Sequence, residues 1–81
     1  MRIKVVFLGA TRDYSTYESI MIDIVPASTV ADVLLKIIEK QPKINNISKF
    51  LFISVNNTLV PRNFCLSDND EVQLFFRSGG G

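Results

Sequence analysis

The sequence predicts an α+β domain in which a mixed sheet of four or five strands packs against a single helix. Apolar residues alternate with period two near both ends of the 81-residue chain, and they recur with helical spacing between these ends. The chain is long enough for one hydrophobic core, and 47% of its residues are hydrophobic. Because one helix covers only one face of such a sheet, we expect the other face to look outward.

Two strands are predicted before the helix. Residues 2–8 form the first strand, with every second side chain from Ile3 onward directed to the core. Residues 9–17 are polar and rich in turn formers, so they predict a loop between the strands of a hairpin. Alternation resumes over residues 18–25, and Pro26 ends this second strand because proline has no backbone N–H for the ladder.

One amphipathic helix follows this hairpin. Ser28 or Thr29 is suited to cap its N-terminus, and Asp32 stands three residues after Thr29, which is the spacing of a capping box. Pro42 ends the helix at about residue 40 or 41, because proline cannot continue it. The apolar stripe of the helix consists of Val30, Val33, Leu34, Ile37 and Ile38.

A second hairpin is predicted after an irregular stretch at residues 43–48. Alternation over "KFLFISVNN" indicates a third strand, and the short "TLVP" segment returns beside it. Asn56 and Asn57 join the two because asparagine tolerates the positive φ of a tight turn. These residues extend the sheet after the helix.

The last strand is predicted over residues 71–77, after a tight turn at Asp68-Asn69-Asp70. Its alternation, together with that of the first strand, defines the outward face of the sheet. We expect an apolar patch there with a charged edge, which is a feature typical of partner contacts. The predicted outward-facing residues are Val6, Leu8, Leu59 and Phe75, with Lys4, Gln73 and Arg77 among them.

The composition excludes several classes of function. A net charge of +1 offers no basic surface for nucleic acid, and no apolar run approaches the roughly 20 residues that cross a membrane. Histidine is absent and Cys65 is the only cysteine, so we expect no metal site and no internal disulfide. We expect Cys65 to be a small buried hydrophobe, and the cysteine usage fits a cytoplasmic protein.

The end of the chain is rich in glycine: Gly79, Gly80 and Gly81 are three of its four glycines. One interpretation is a loose terminus, since glycine loses the most conformational freedom on ordering. The other is that the terminal carboxylate is the working group and must pass through a space too narrow for side chains. In either case we expect a domain over residues 1–77 and a flexible tail over residues 78–81.

Several motifs carry a resemblance to a known family. The run "VNNTLVPRNFCLSDNDEVQLFFRSGGG", with "KVVFLGATRD" near the start, resembles the MoaD/ThiS family of ubiquitin-like sulfur carriers, and within it the small subunits of molybdopterin synthase. The similarity covers essentially the whole chain. It implies the ubiquitin-like β-grasp fold, which the order of strands and helix also suggests. Phe76-Arg77 stands where these small subunits commonly carry two prolines, and this departure leaves the sulfur acceptor open.

The resemblance also implies a chemistry for the tail. In such proteins the terminal carboxylate, here that of Gly81, is adenylated with ATP by an activating enzyme and converted to a thiocarboxylate. The sulfur then goes to a pterin precursor in molybdenum cofactor biosynthesis. Gly80 and Gly81 would leave the reacting carbonyl accessible, and Ser78 and Gly79 would act as a spacer. No cofactor is expected to stay bound, and the chain would not be an enzyme alone but the sulfur-donating subunit of a transferase.

Two protein partners are implied by the same resemblance. One is the MoaE-like large subunit of molybdopterin synthase, with which the chain would form a hetero-oligomer, and the other is a MoeB-like adenylating enzyme related to ubiquitin activators. Two alternatives stay open: a sulfur carrier for thiamine or tRNA thiolation, and a ubiquitin-like modifier joined to other proteins through Gly81. The residues expected to contact a partner are Leu8, Leu59, Phe75, Arg77, Ser78 and Gly79.

Overall fold

A mixed five-stranded sheet with a helix against one face makes up the part of the chain that the structure describes. This structure is a computed structural model, and it describes residues 1–76. The elements in chain order are β1 (Arg2–Phe7), a first 3₁₀ helix (Gly9–Tyr14), β2 (Ser19–Asp23), α1 (Val30–Lys40), a second 3₁₀ helix (Pro42–Phe50), β3 (Phe52–Val55), β4 (Thr58–Leu59) and β5 (Glu71–Phe75). The predicted α+β class is confirmed.

The strands lie in the order β2-β1-β5-β3-β4. The central pair, β1 and β5, is parallel, and the three other neighbouring pairs are antiparallel. A parallel pair needs a long crossover connection. Here the connection is the chain from residue 8 to residue 70, which includes α1 and the other strands. The last strand was predicted over residues 71–77, whereas β5 ends at Phe75. Arg77 and the predicted tail over residues 78–81 lie outside the described residues.

Alternation decides which sheet residues enter the core. Ile3, Val5 and Phe7 of β1 are buried, as the sequence pattern predicts. Val72 and Leu74 pair with Val5 and Phe7 in the parallel ladder, and they are buried as well. The side chains between these positions therefore point to the opposite face of the sheet.

The helix α1 begins with the predicted capping box. The Thr29 hydroxyl accepts a bond from the Asp32 N–H, and the Asp32 carboxylate accepts one from the Thr29 N–H at 2.9 Å. Thr29, not Ser28, is therefore the N-cap. The helix ends at Lys40, two positions before Pro42, as predicted. Of the predicted stripe, Ile38 is partly buried, and the fully buried members are Val30, Val33, Leu34 and Ile37.

Two segments that were predicted to be a loop and an irregular stretch are 3₁₀ helices. The first 3₁₀ helix buries Thr11, and the second buries Ile44 and Ile47. A 3₁₀ helix has three residues per turn, so the i, i+3 spacing of Ile44 and Ile47 puts both on one face. Pro42 opens the second helix, where its missing N–H has no partner to lose.

The Asp68-Asn69-Asp70 turn ties the start of β5 to the start of β1. Asn69 has a φ of 68°, as expected for asparagine in a tight turn, and its N–H donates to the Arg2 carbonyl at 2.9 Å. The Asp68 carboxylate accepts a bond from the Arg2 N–H at 2.8 Å. The carboxylate of Asp70 accepts one from the Ser67 N–H at 2.8 Å. These acidic side chains therefore hold the turn.

Cys65 is exposed, so the expectation of a buried position was wrong. Its neighbour Leu66 takes the buried place instead, and the Cys65 backbone forms an isolated bridge with Thr29. Because neighbouring residues in an extended segment alternate sides, burial of Leu66 turns Cys65 outward. Across residues 1–76, no helix combines the length and the apolar character needed to span a bilayer.

Replacing Thr29 by alanine is expected to lower the free energy of unfolding by about 1 kcal/mol, because the variant loses the cap of α1. Urea denaturation followed by circular dichroism measures this change. Thr16→Ala is the matched control, because Thr16 is exposed and only its backbone N–H forms a hydrogen bond. Equal losses in the two variants would contradict a capping role.

Candidate functional site

An apolar patch lies on the outward face of the sheet, at the end of β5. Phe52 and Phe75 are register partners, and their rings stack with centroids 5.7 Å apart and planes 23° apart. Leu8 continues the parallel ladder beyond Phe7, since its N–H donates to the Leu74 carbonyl at 2.9 Å. Leu8 therefore lies beside Phe75. We call Leu8, Phe52 and Phe75 the apolar patch.

The apolar patch is accessible to a partner. Leu8 is 42% exposed and Phe52 is 46% exposed, while Phe75 between them is half-buried. The apolar patch therefore has an aromatic centre. Apolar clusters of this kind on a sheet mark sites of protein contact more often than scattered single residues do.

The neighbouring row of the outward face is polar in its middle. It runs from Val6 through Gln73 and Ser54 to Leu59, according to the ladder register. Leu59 is 63% exposed, whereas Val6 is half-buried. The charged pair Lys4 and Glu71 lies one row farther from the apolar patch. The face therefore changes from apolar to charged along β5.

Gln73 lies at the centre of this face, yet only 5% of it is exposed. Its Oε1 accepts bonds from the Ser54 hydroxyl at 2.7 Å and from the Asn57 N–H at 3.0 Å. Its Nε2 donates to Asn57 Oδ1 and to Glu71 Oε2, each at 2.8 Å. The sequence predicted that Gln73 faces outward, which is correct, but neighbouring side chains cover it. All its hydrogen-bonding capacity is used.

Phe76, the last described residue, is held on the other side of the strand. Its ring meets that of Tyr14 edge-on, with centroids 5.7 Å apart and planes 72° apart. Both rings are partly buried against the core. Phe75 packs on Phe52 and Phe76 packs on Tyr14, so successive aromatic residues anchor the end of β5 on both faces.

The structure brings two of the predicted contact residues together and keeps a third close. Leu8 and Phe75 are neighbours, and Leu59 lies in the adjacent row. Phe52 was not among the predicted residues, although alternation in the third strand put it on the same side as Ser54. Its contact with Phe75 depends on the pairing of β3 with β5, which the sequence does not show. The other predicted site residues lie outside the described residues: Arg77, Ser78, Gly79, Gly80 and Gly81.

Comparison with family models identifies the chain. A model described as the ThiS family matches residues 5–81, which is nearly the whole sequence. The chain belongs to the ThiS family. The resemblance drawn from its sequence motifs is thereby confirmed. A search among curated proteins finds no match.

Solved structures place this ThiS-family chain among ubiquitin-like proteins. SAMP1 from Haloferax volcanii is 15% identical, with a TM-score of 0.91 and complete coverage of both chains. Subunits 1 and 2 of the molybdopterin-converting factor from Helicobacter pylori were solved as a complex, and the matching chain is 23% identical with a TM-score of 0.71 and complete coverage of both chains. The ubiquitin of Caldiarchaeum subterraneum is 17% identical, with a TM-score of 0.67, and 100% of this chain and 98% of that chain are covered. At these identities the similarity shows the fold, and the predicted β-grasp is confirmed.

Replacing Gln73 by leucine is expected to lower the free energy of unfolding by about 1–3 kcal/mol, because the buried Ser54 hydroxyl and the Asn57 N–H lose their partner. Urea denaturation measures the change. The variant Ser54→Ala and the double variant complete a cycle, in which we expect the double variant to lose less than the sum of the single losses. Strict additivity would show that the network does not act as a unit.

Proposed function

We propose that this chain is the sulfur-carrier small subunit of a molybdopterin synthase, with the sulfur carried on the terminal carboxylate of Gly81. The observation that carries the proposal is the apolar patch at the end of β5 in a ThiS-family chain whose family match extends to Gly81. A carrier must hold its partner and present its C-terminus at the same time. A docking surface next to the last strand meets both needs.

The chemistry requires activation of a poor acyl donor. A carboxylate does not react with sulfur nucleophiles at neutral pH, but a mixed anhydride with AMP has a good leaving group. In the proposed cycle an activating enzyme joins the Gly81 carboxylate to AMP and releases pyrophosphate from ATP. Hydrosulfide then displaces AMP from the carbonyl carbon and leaves a thiocarboxylate; if the donor is a persulfide, the displacement gives an acyl disulfide, and a thiol cleaves its S–S bond to release the thiocarboxylate. This chain supplies the acyl group, and its partners supply the catalysis.

Glycine at the last positions suits this role for steric reasons. Gly80 and Gly81 have no Cβ, so an extended segment can enter a narrow active site and the carbonyl carbon stays open to attack. Ser78 and Gly79 would let the reactive end reach beyond the domain. The aromatic contacts of Phe75 and Phe76 then serve as the fixed base from which this segment extends.

The apolar patch suits a large subunit as partner. In the Helicobacter pylori protein, subunit 1 of the molybdopterin-converting factor is in complex with subunit 2. Aromatic anchors that become desolvated in a contact carry a large share of its binding free energy. Phe75 and Phe52 present such an anchor, and Leu8 and Leu59 extend the apolar area beside it.

The first test is the intact mass of the protein after incubation with its activating enzyme, ATP and a sulfur donor. We expect a gain equal to the replacement of one oxygen by sulfur. A variant without Gly81 is the control, and it should show no gain because its activated carboxylate is missing from the required position. Absence of the gain in the full chain, with an activating enzyme shown to be competent, would contradict the sulfur-carrier role.

Phe75→Lys is expected to raise the Kd for the large subunit by about a hundredfold or more, because a charge would be buried at the centre of the contact. Isothermal titration calorimetry measures the Kd, and circular dichroism checks that the variant is folded. Leu35→Lys is the matched control, since Leu35 is 66% exposed on α1, which covers the opposite face of the sheet. An unchanged Kd for folded Phe75→Lys would refute this docking surface.

A second candidate is a ubiquitin-like modifier that is joined through Gly81 to lysines of other proteins. The whole-length similarity to SAMP1, with a TM-score of 0.91, favours it. Both functions use an activated Gly81 carboxylate. In the modifier an amine attacks it, whereas in the sulfur carrier a sulfur nucleophile attacks it. High-molecular-weight conjugates in cells that disappear when Gly81 is deleted would support the modifier. Loss of molybdopterin synthesis without any conjugates would support the sulfur carrier.

A further inference from the structure

The strand β2 forms one edge of the sheet, and its outer backbone groups are unpaired in the described residues. Within the described residues β1 is the only strand that pairs with β2, so one side of β2 has no neighbouring strand. Hydrogen bonds from the Phe7 N–H to the Glu18 carbonyl and from the Ile24 N–H to the Met1 carbonyl mark two bonded pairs of this ladder. In an antiparallel ladder bonded and non-bonded pairs alternate. The residues whose N–H and C=O groups point to the free edge are therefore Ser19, Met21 and Asp23.

A channel runs along this edge, between β2 and the C-terminal half of α1. One hollow of about 530 Å³ is lined by residues that include Ile20, Met21 and Lys40. A second hollow of about 240 Å³ is lined by residues that include Met21, Lys36 and Lys40. Met21 and Lys40 line both hollows, so the two lie next to each other along the edge, and we call them together the channel. Together the two hollows are lined by every residue of β2, from Ser19 to Asp23.

The charge of the channel is unbalanced toward the positive. Lys36 and Lys40 stand one helical turn apart on the same side of α1, and neither forms an ion pair within residues 1–76. Glu39 also lines the channel, and it forms no ion pair within residues 1–76 either. Asp23 is paired with Arg2 at 3.1 Å, and both side chains lie on the outward face of the sheet, away from the helix. On the helix side an incoming acidic side chain would thus meet two lysines and one carboxylate.

We propose that the free edge of β2 takes up an extended segment of a partner protein in which acidic and apolar residues alternate. The segment adds a strand to the sheet, and its backbone bonds to Ser19, Met21 and Asp23. Successive side chains of a strand point to opposite faces. Acidic side chains on the helix side meet Lys36 and Lys40, and apolar side chains on the outward side lie beside Met21, which is 54% exposed.

The edge is suited to this pairing in two further respects. β2 contains no proline and spans five residues, whereas β4 at the other edge spans two. Short strands, prolines, bulges and charged side chains are the usual means by which proteins protect an edge. In β2 this protection is limited to one charged residue at its end, Asp23. In addition, β1 separates β2 from β5. A segment on β2 therefore leaves the apolar patch at the end of β5 free for a different partner.

The test uses a short, end-blocked peptide of alternating valine and aspartate, titrated into the isotopically labelled full chain and followed by NMR. We expect the largest shifts at the amides of Ser19, Met21 and Asp23, and binding that weakens as salt is added. Lys40→Glu should weaken binding by about fivefold. The matched control Lys49→Glu, on the second 3₁₀ helix, should leave it unchanged.

Two peptide analogues test the backbone pairing directly. Each is N-methylated on alternate residues, so that each has lost the N–H donors of one edge. Since only one edge of an added strand faces β2, one analogue should lose binding and the other should keep it. This asymmetry separates strand addition from simple attraction between charges.

Four results would overturn the proposal. They are equal binding of a valine and lysine peptide, equal binding of both N-methylated analogues, shifts centred on Leu8 and Phe75, and absence of binding by the valine and aspartate peptide. Concentration-dependent shifts at Met21 without any peptide would assign the edge to a second copy of this chain, and would refute the proposed occupant.

Discussion

The parallel pairing of β1 with β5 is the constraint on which the rest of the structure depends. It joins the first strand of the chain to the last and lines up Val5 with Val72 and Phe7 with Leu74 in the core. A shift of one residue in this ladder would move the apolar side chains of the shifted strand to the other face of the sheet. The Asp68-Asn69-Asp70 turn prevents such a shift, because it bonds to Arg2 through both backbone and side chain. With this register, Leu8 comes to lie beside Phe75, so the apolar patch is a consequence of how the two ends of the chain meet.

The end of β5 is fixed by aromatic contacts on both faces of the sheet. Phe75 and Phe76 lie on opposite faces of the strand, and each packs against another aromatic ring, Phe52 or Tyr14. Such pairs stabilise by about 0.5–1.5 kcal/mol beyond the burial of their area. The direction in which the chain leaves the sheet is therefore set by side chains that come from three separate elements. In the proposed sulfur-carrier role, a fixed exit from the sheet would reduce the orientational freedom that is lost on binding.

Much of the fold could be predicted from local patterns, because each pattern has a local cause. The capping box of Thr29 and the turn at Asn56-Asn57 depend on residues within a few positions, and both are found as predicted. The 3₁₀ helix over residues 42–50 was missed, since its composition is that of a turn and only the spacing of Ile44 and Ile47 reveals a buried face. The apolar patch was harder to predict, because its contacts join strands that are distant in sequence. Alternation shows that Phe52 faces outward, but its stacking on Phe75 follows from the pairing of strands that are distant in sequence.

The outward face limits its apolar area with a single buried polar residue, Gln73. Had its middle row been apolar, the face would form one continuous hydrophobic strip from Val6 to Phe52, which is a hazard for aggregation. Gln73 interrupts the strip, and four hydrogen bonds satisfy it so that its burial carries little penalty. The same bonds hold Asn57 and Ser54 in place, and they leave Leu59 projecting from one side. The buried amide thus confines the apolar patch to the end of β5.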